Sequence, residues 1–538
     1  MKILNTTKWQ DGFLDYHRIK KEYRIQVLAW KNLEKIEDAY YIRPKSIRMA
    51  LRYLPVVGPY GLFTKAWSRL REARRNDKYV SCGIGKIIET GENSEFKTND
   101  LIAFIAPFHP RLVERLTLPQ EFIFPLEKEM IPQLPKTDIL YLPLEQNKTN
   151  NHWWEEIISW SIYSGKEILG ELHQKLGENL IQEIKNTNWL TSQRFEIKAP
   201  TEIREIKGEV KILDKRKTGV LFGFGNYAKT NILTFMKPFV NITTIHEIDP
   251  TQIWERDAQK WDTAPFPRDN EKYDVYFVAS YNHTHVPITL YALKQGAYAV
   301  VEKPVAMDYG ELEEIKKMLE EVGPKIFVGF QKRYSIFNQW ALKDLGVKPG
   351  EPISYHSIVY EISQPKYFWY TWPVSRSTFL ANGCHQIDHF LYLNDFSQPK
   401  NFDLKLLQDK AIEVWIELEN GAVFTTTFSE KGSTRIGPRD FIELKVPHRN
   451  VRITDNISYL SEDDSRIIRK KRIFKTNSYK NMYVQIGNRI AHNEEGDSLE
   501  SIMVTTKLML DLEERLQIQK GWGDRYMKAK DKFWSYFK

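Results

Sequence analysis

Val220-Leu221-Phe222-Gly223-Phe224-Gly225-Asn226-Tyr227-Ala228, in the middle of a 538-residue chain, is the stretch on which the fold turns. The apolar run reads as a strand, and the glycines fall where a strand would turn into a helix. The first glycine permits the tight turn. The second lets the backbone approach a pyrophosphate, and Ala228 keeps the helix close to the sheet, while the helix N-terminus offers unpaired N–H groups to the phosphates. A small-residue turn in an α/β domain without a nucleotide has the same pattern, so the turn by itself leaves both readings open.

Outward from it, Ile242-Thr243-Thr244-Ile245-His246 is the next strand, followed by Glu247 and Asp249 at the distance where a carboxylate meets the adenosine ribose hydroxyls. Glu247 is the expected ribose ligand. Its charge would repel a 2′-phosphate, so NAD is expected over NADP. Asp249, before Pro250, either joins it or caps the next helix. A third strand, Tyr273 to Ala279, stops at Ser280-Tyr281-Asn282-His283-Thr284-His285, at the carboxyl edge that lines the ligand crevice of an open parallel sheet. A helix through Leu290, Ala292 and Leu293 ends at Gly296, and the strand Ala297 to Val301 leads into Glu302-Lys303-Pro304. The rhythm is βαβ throughout.

From about Thr218 to Phe330 these motifs resemble the glucose-fructose oxidoreductase, inositol dehydrogenase and rhizopine-catabolism oxidoreductase superfamily. The resemblance rests on the glycine turn, the loop with Asn282 and His285, Glu302-Lys303-Pro304, Val328-Gly329-Phe330 with Arg333-Tyr334 after it, and Gly383-Cys384-His385-Gln386-Ile387-Asp388. It implies a nucleotide domain followed by an α+β domain whose open sheet carries substrate contacts and often an oligomer interface. Lys303 would bind substrate hydroxyl and cofactor, and His385 would face the reacting carbon as the second catalytic residue. A histidine accepts the hydroxyl proton near neutral pH, and an ammonium steadies the developing alkoxide.

The expected cofactor contacts are Gly223, Gly225, Asn226, Tyr227, Ala228, Glu247, Ser280, Asn282, His285, Glu302 and Lys303. The expected substrate contacts are Lys303, Arg333, Tyr334, Trp372, Arg376 and His385, with the aromatic run Tyr367 to Trp372 either covering sugar C–H faces or packing in an ordinary core. Lys303 as an exposed charge, and His385 as a packed ring bonded to Asp388, are the structural alternatives. One departure stands out. Members of the superfamily often place an aspartate four residues before the histidine, on the same helix face, and here that position is Ala381.

Beyond Pro352 the pattern changes to strands at Ile353 to Ile362, Ala411 to Glu419, Ala422 to Phe428 and Phe441 to Val446, with Asn420-Gly421 as a hairpin turn. This is a mainly antiparallel sheet. Leu499 to Leu516 has helical apolar spacing and should pack back on a core. Residues 1–200 are extra to a family enzyme: Tyr79 to Gly91 and Phe96 to Phe104 read as two strands joined by a turn, weakly resembling the barrel domain of medium-chain alcohol dehydrogenases. Zinc does not follow from that, and no metal is expected. The chain has 2 cysteines, Cys82 and Cys384, too few for a thiolate site or a disulfide framework, and His109 reads as a surface or core residue.

The expected fold class is therefore α/β plus α+β: an accessory, partly β-rich domain (1–200), a Rossmann domain (212–334), an α+β substrate and oligomerisation domain (335–500), and a C-terminal helix with a basic aromatic tail (501–538). A net charge of +8 from 78 basic and 70 acidic residues is too dilute to specify nucleic acid, and the basic patch from Lys65 to Lys78 is interrupted by Glu72 and Asp77. No segment reads as a signal peptide or a membrane span, which gives a cytoplasmic expectation. The expected function is NAD-dependent hydride transfer at a secondary hydroxyl of a sugar, nucleotide sugar or polyol, in a homo-oligomer. Two alternatives stay open: a net-redox-neutral epimerisation, elimination or glycoside cleavage through transient NAD reduction, and a nucleotide-binding assembly or regulatory protein without turnover.

Overall fold

The computed structural model describes residues 11–13, 22–36, 59, 78–90, 95–109, 115–119, 122–127, 138–142, 166–196, 216–247, 258–262, 266–364, 376–433, 437–474 and 477–521. Three sheets organise them. In the first, β1 (Asp11–Phe13), β5 (Arg115–Pro119), β2 (Glu22–Ile36), β3 (Lys78–Thr90), β4 (Leu101–His109) and β6 (Ile123–Pro125) lie in that order, while β7 (Asp138–Leu142) pairs with β2 and with β8 (Gln193–Glu196). The expected pair of strands around Cys82 is the antiparallel β3–β4 ladder. Helix α1 (Lys166–Asn186) covers it with Leu176, Leu180 and Ile184, which join Trp30, Ile84, Phe104 and Phe122 in a core of their own. Burial raises the Cys82 thiol well above its ordinary value, so it is a packed apolar group rather than a nucleophile.

The second sheet is parallel throughout, in the order β11 (Lys260–Asp262), β10 (Val240–His246), β9 (Lys217–Phe222), β12 (Val275–Val278), β13 (Tyr298–Val301), β14 (Ile326–Val328). Numbered within the sheet this is 3-2-1-4-5-6, the doubly wound arrangement with its switch point between β9 and β12. Phe222 pairs with Val278 across that point, which sets the glycine turn and the 280–285 turn side by side. Between the strands run a π-wound turn (Ala228–Ile232) continuing into α2 (Leu233–Met236), then α3 (His285–Lys294) and α4 (Tyr309–Val322).

After α5 (Ile336–Leu345), the third sheet has the order β16 (Pro399–Leu406), β17 (Ile412–Leu418), β18 (Val423–Gly432), β15 (Ser354–Ile362), β19 (Arg439–Val446), β20 (Arg449–Thr454), β21 (Ser458–Asp463), β22 (Ile467–Arg472). It is antiparallel except where β15 and β18 run parallel. Its inner face buries Tyr355, Val414, Ile416, Phe424 and Leu444 against a π-wound turn (Phe379–Gly383), α6 (Cys384–Leu393) and α8 (Leu499–Gln519). Ile358, Tyr360, Trp415 and Phe441 stand exposed on the other face. One core runs without a break from this sheet into the face of the parallel sheet covered by α3 and α4, so the second and third sheets share their interior. Helix α7 (Asn477–Ala491) instead returns to the opposite face, placing Met482, Tyr483, Ile486 and Ile490 beside Leu221, Phe224 and Ile245.

Candidate functional site

The glycine turn is built for close approach on one side only. Gly223 has φ +86°, and a Cβ there would fall 2.4 Å from the Ala279 carbonyl oxygen, so the residue after β9 must be glycine. At Gly225 the same test meets nothing within 4 Å, and Gly225 and Asn226 face outward. Ala228, buried, seats the helix on the sheet. Glu247, at the end of β10, turns its Oε2 back to accept the Phe224 N–H at 2.7 Å, which brings a carboxylate to the rim of the turn. Open space over Gly225 with a carboxylate at the neighbouring strand end fits a dinucleotide's pyrophosphate and ribose. Asp249 and Trp372 lie outside the described residues.

Opposite, the 280–285 turn closes on itself. Thr284 donates its N–H and hydroxyl to the Tyr281 carbonyl at 2.9 and 2.7 Å, and Ser280 Oγ lies 2.6 Å from Thr284 Oγ1. Asn282 is buried, and its Nδ2 has no hydrogen-bond partner among the described residues. His285 is buried as well, with Nδ1 2.8 Å from the Pro304 carbonyl and Nε2 3.3 Å from that of Ser280. Burial, outweighing these carbonyls, lowers it to about 4, so the ring is neutral and its one N–H belongs to the shorter contact. His285 therefore ties the turn to the Lys303-Pro304 segment.

Lys303 Nζ donates to the Ala381 carbonyl at 2.8 Å and to Asn382 Oδ1 at 3.2 Å. On a helix of 3.6 residues per turn, Asn382 would lie off the face that carries His385. Phe379–Gly383 is π-wound, which changes that phase and lets Asn382 meet the lysine. Lys303 and His385 are thus brought to one place. Burial, then Lys303 and Lys332, hold His385 well below its ordinary pKa, and its Nδ1 has no hydrogen-bond partner among the described residues. The ring is therefore neutral.

Other expected contacts lie elsewhere. Asp388 does not orient His385. It takes a bidentate pair from Arg333 (Nη2 at 2.5 Å, Nε at 3.0 and 3.1 Å), with Thr505 Oγ1 at 3.3 Å. Arg333 is buried between the rings of Phe330 and Phe396, 5.0 and 4.9 Å from their centroids, so this guanidinium is an internal strut and not a substrate contact. Tyr334 packs with Phe224 and the α7 residues, and burial raises its hydroxyl. Arg376 has φ +60° and lies in the field of the buried Glu311 and Glu513.

Glu302 turns away from Lys303's partners: Tyr483 donates to its Oε1 at 3.0 Å, and the Tyr483 and Tyr227 hydroxyls lie 3.0 Å apart. Burial raises Glu302 despite the neighbouring Lys303. Tyr483 is 256 positions from Tyr227, a separation no local pattern reveals. Lys332, also missed, pairs with Asp440 of β19 and adds a second cation near His385. Its signal was present, since it sits beside Arg333 in the motif.

Among the described residues, His246, Asp262 and Glu271 offer ligand atoms within 4.8 Å of one another. Arg268 already holds Asp262 at 2.7 and 2.9 Å, and Lys260 holds Glu271 at 2.7 Å, so protein cations occupy the carboxylates.

The sequence profile described as oxidoreductase family, NAD-binding Rossmann fold, matches residues 218–330. That stretch runs from β9 to the end of the 326–330 segment and contains the turn, Glu247, the 280–285 loop and Lys303. The chain carries the NAD-binding domain of the Gfo/Idh/MocA oxidoreductase family. No curated protein sequence matches it. Solved structures similar to this chain include a dehydrogenase from Chromobacterium violaceum (13% identity, 58% of this chain and 98% of that one, TM-score 0.49). Another is UDP-N-acetylglucosamine 3-dehydrogenase from Acidithiobacillus ferrooxidans (15% identity, 56% and 97%, TM-score 0.46). No helix among the described residues is long and apolar enough to cross a membrane.

Proposed function

We propose that this Gfo/Idh/MocA protein oxidises a secondary hydroxyl of a sugar, nucleotide sugar or polyol, with Lys303 and His385 as its catalytic pair. The observation that supports the reading is that Lys303, just after β13, bonds the Ala381 carbonyl in the turn leading into α6, where its charge acts on His385. NAD bound there would supply the hydride acceptor. Gly223, Gly225 and Glu247 would hold its phosphate and ribose end, and the buried Asn282 amide would meet an acceptor on the bound molecules.

An ammonium has three donors. Ala381 and Asn382 take two of those of Lys303, and the third is left to hold the substrate oxygen and to steady it as it becomes an alkoxide. His385, kept neutral, accepts the hydroxyl proton. Ala381 thus contributes through its carbonyl what its side chain does not. The exposed Ile358, Tyr360, Trp415 and Phe441 are the surface on which a homo-oligomer would form.

The test is a panel of free sugars, polyols and nucleotide sugars with NAD, followed at the NADH absorbance. One class should reduce NAD, and Lys303→Met should lower kcat by about a thousandfold or more with NAD binding retained. Full turnover in Lys303→Met would remove the assigned role.

A further inference from the structure

Among the described residues, one aromatic ring of the catalytic half, that of Tyr281, packs against the hydrophobic core of the extra N-terminal sheet, and we infer that this sheet positions the 280–285 turn, with Tyr281 as the positioning residue. This rests on the assignment of that turn to the NAD crevice. Among the described residues of the accessory core, every member comes from positions 23 to 189 except Tyr281, which packs against it from the carboxyl end of β12. The four residues that follow it in the turn, Asn282, His283, Thr284 and His285, are all buried.

The path from that ring to the chemistry is short. Tyr281 stacks on His283, with centroids 6.1 Å apart and planes 14° from parallel. Its carbonyl takes both the N–H and the hydroxyl of Thr284, which also meets Ser280. His285 then bonds the Pro304 carbonyl, directly after Lys303. A turn of six residues with its tip seated in a separate core keeps one conformation. Released from that core, its ordering would have to be supplied by the cofactor on binding, which weakens affinity.

The full chain and its Tyr281→Phe, Tyr281→Leu and Tyr281→Ala variants test this by hydrogen exchange and by NADH fluorescence titration. Tyr281→Ala should speed exchange in peptides covering 280–285 and 303–306 and raise the NADH Kd about tenfold, with the unfolding midpoint of the parallel sheet unchanged. Tyr281→Phe keeps the ring and should behave as wild type. Tyr281→Leu, which retains apolar bulk for folding but not the stack, should fall between them. Unchanged exchange at 280–285 in Tyr281→Ala overturns the proposal, as does acceleration confined to the accessory strands. The exchange measurement needs no nucleotide, so wild-type protein that fails to bind NADH would count against the function while leaving the coupling separately decided.

Discussion

Three histidines, His285, His385 and His389, are kept neutral by burial, and this has a sign that experiment can read. His285 is lowered to about 4 and His389, between Asn338 Oδ1 at 2.8 Å and the Tyr355 hydroxyl at 3.3 Å, to about 3; His385 shifts in the same direction. The unfolded chain protonates such a ring at its ordinary 6.5 while the folded chain does not. Each ring's stabilising contribution is therefore complete above 6.5 and is lost as pH falls from there toward the folded value, at about 1.4 kcal/mol for each unit. Buried carboxylates such as Glu302 and Asp388 are shifted up and act in the opposite sense, so a difference is the cleaner readout. The stability gap between wild type and His285→Asn, from urea midpoints, should shrink between pH 7 and about pH 5. A gap that widens on acidification would mean that the ring is charged in the fold.

At the scale of elements, the Arg333–Asp388 strut ties the 331–334 turn to α6, the helix that carries His385. Arg333 and Asp388 are both buried, and Asp497 lies 3.7 Å from the same guanidinium. Removing one partner leaves a bare charge in the interior, so Arg333→Met should cost about 3–5 kcal/mol, and Arg333→Met with Asp388→Leu should recover part of it. A loss below about 1 kcal/mol in the single variant would show the pair to be incidental. What was legible here follows from what is local. The βαβ rhythm, the glycine turn and the helix from Leu499 are set by neighbours in sequence. The π-wound turn at Phe379–Gly383 is not, and it is what brings Asn382 to Lys303. Nor was Arg333 legible as a strut, because its partner lies 55 positions away. Strands β16 and β20 to β22 were missed; in β22, at the edge of its sheet, the four consecutive charges Arg469 to Arg472 hide any alternation.

Across the whole molecule, two sheets share one core while the accessory sheet keeps its own, and the site lies where the first two meet. Composition and spacing carried the order of the parts. They carried nothing about what the accessory part touches, since a single aromatic in a loop has no periodicity to announce its packing. The crevice beside Gly225, Glu247 and Lys303 is where NAD is expected to bind. The most direct measurement is to identify by mass spectrometry any nucleotide released on denaturing the purified protein, and to titrate NAD and NADP into the stripped protein in parallel. NAD should bind, and bind more tightly than NADP because Glu247 opposes a 2′-phosphate. NAD retained through purification would favour a closed redox cycle, and exchangeable NAD an ordinary dehydrogenase. Binding of neither nucleotide would contradict the account.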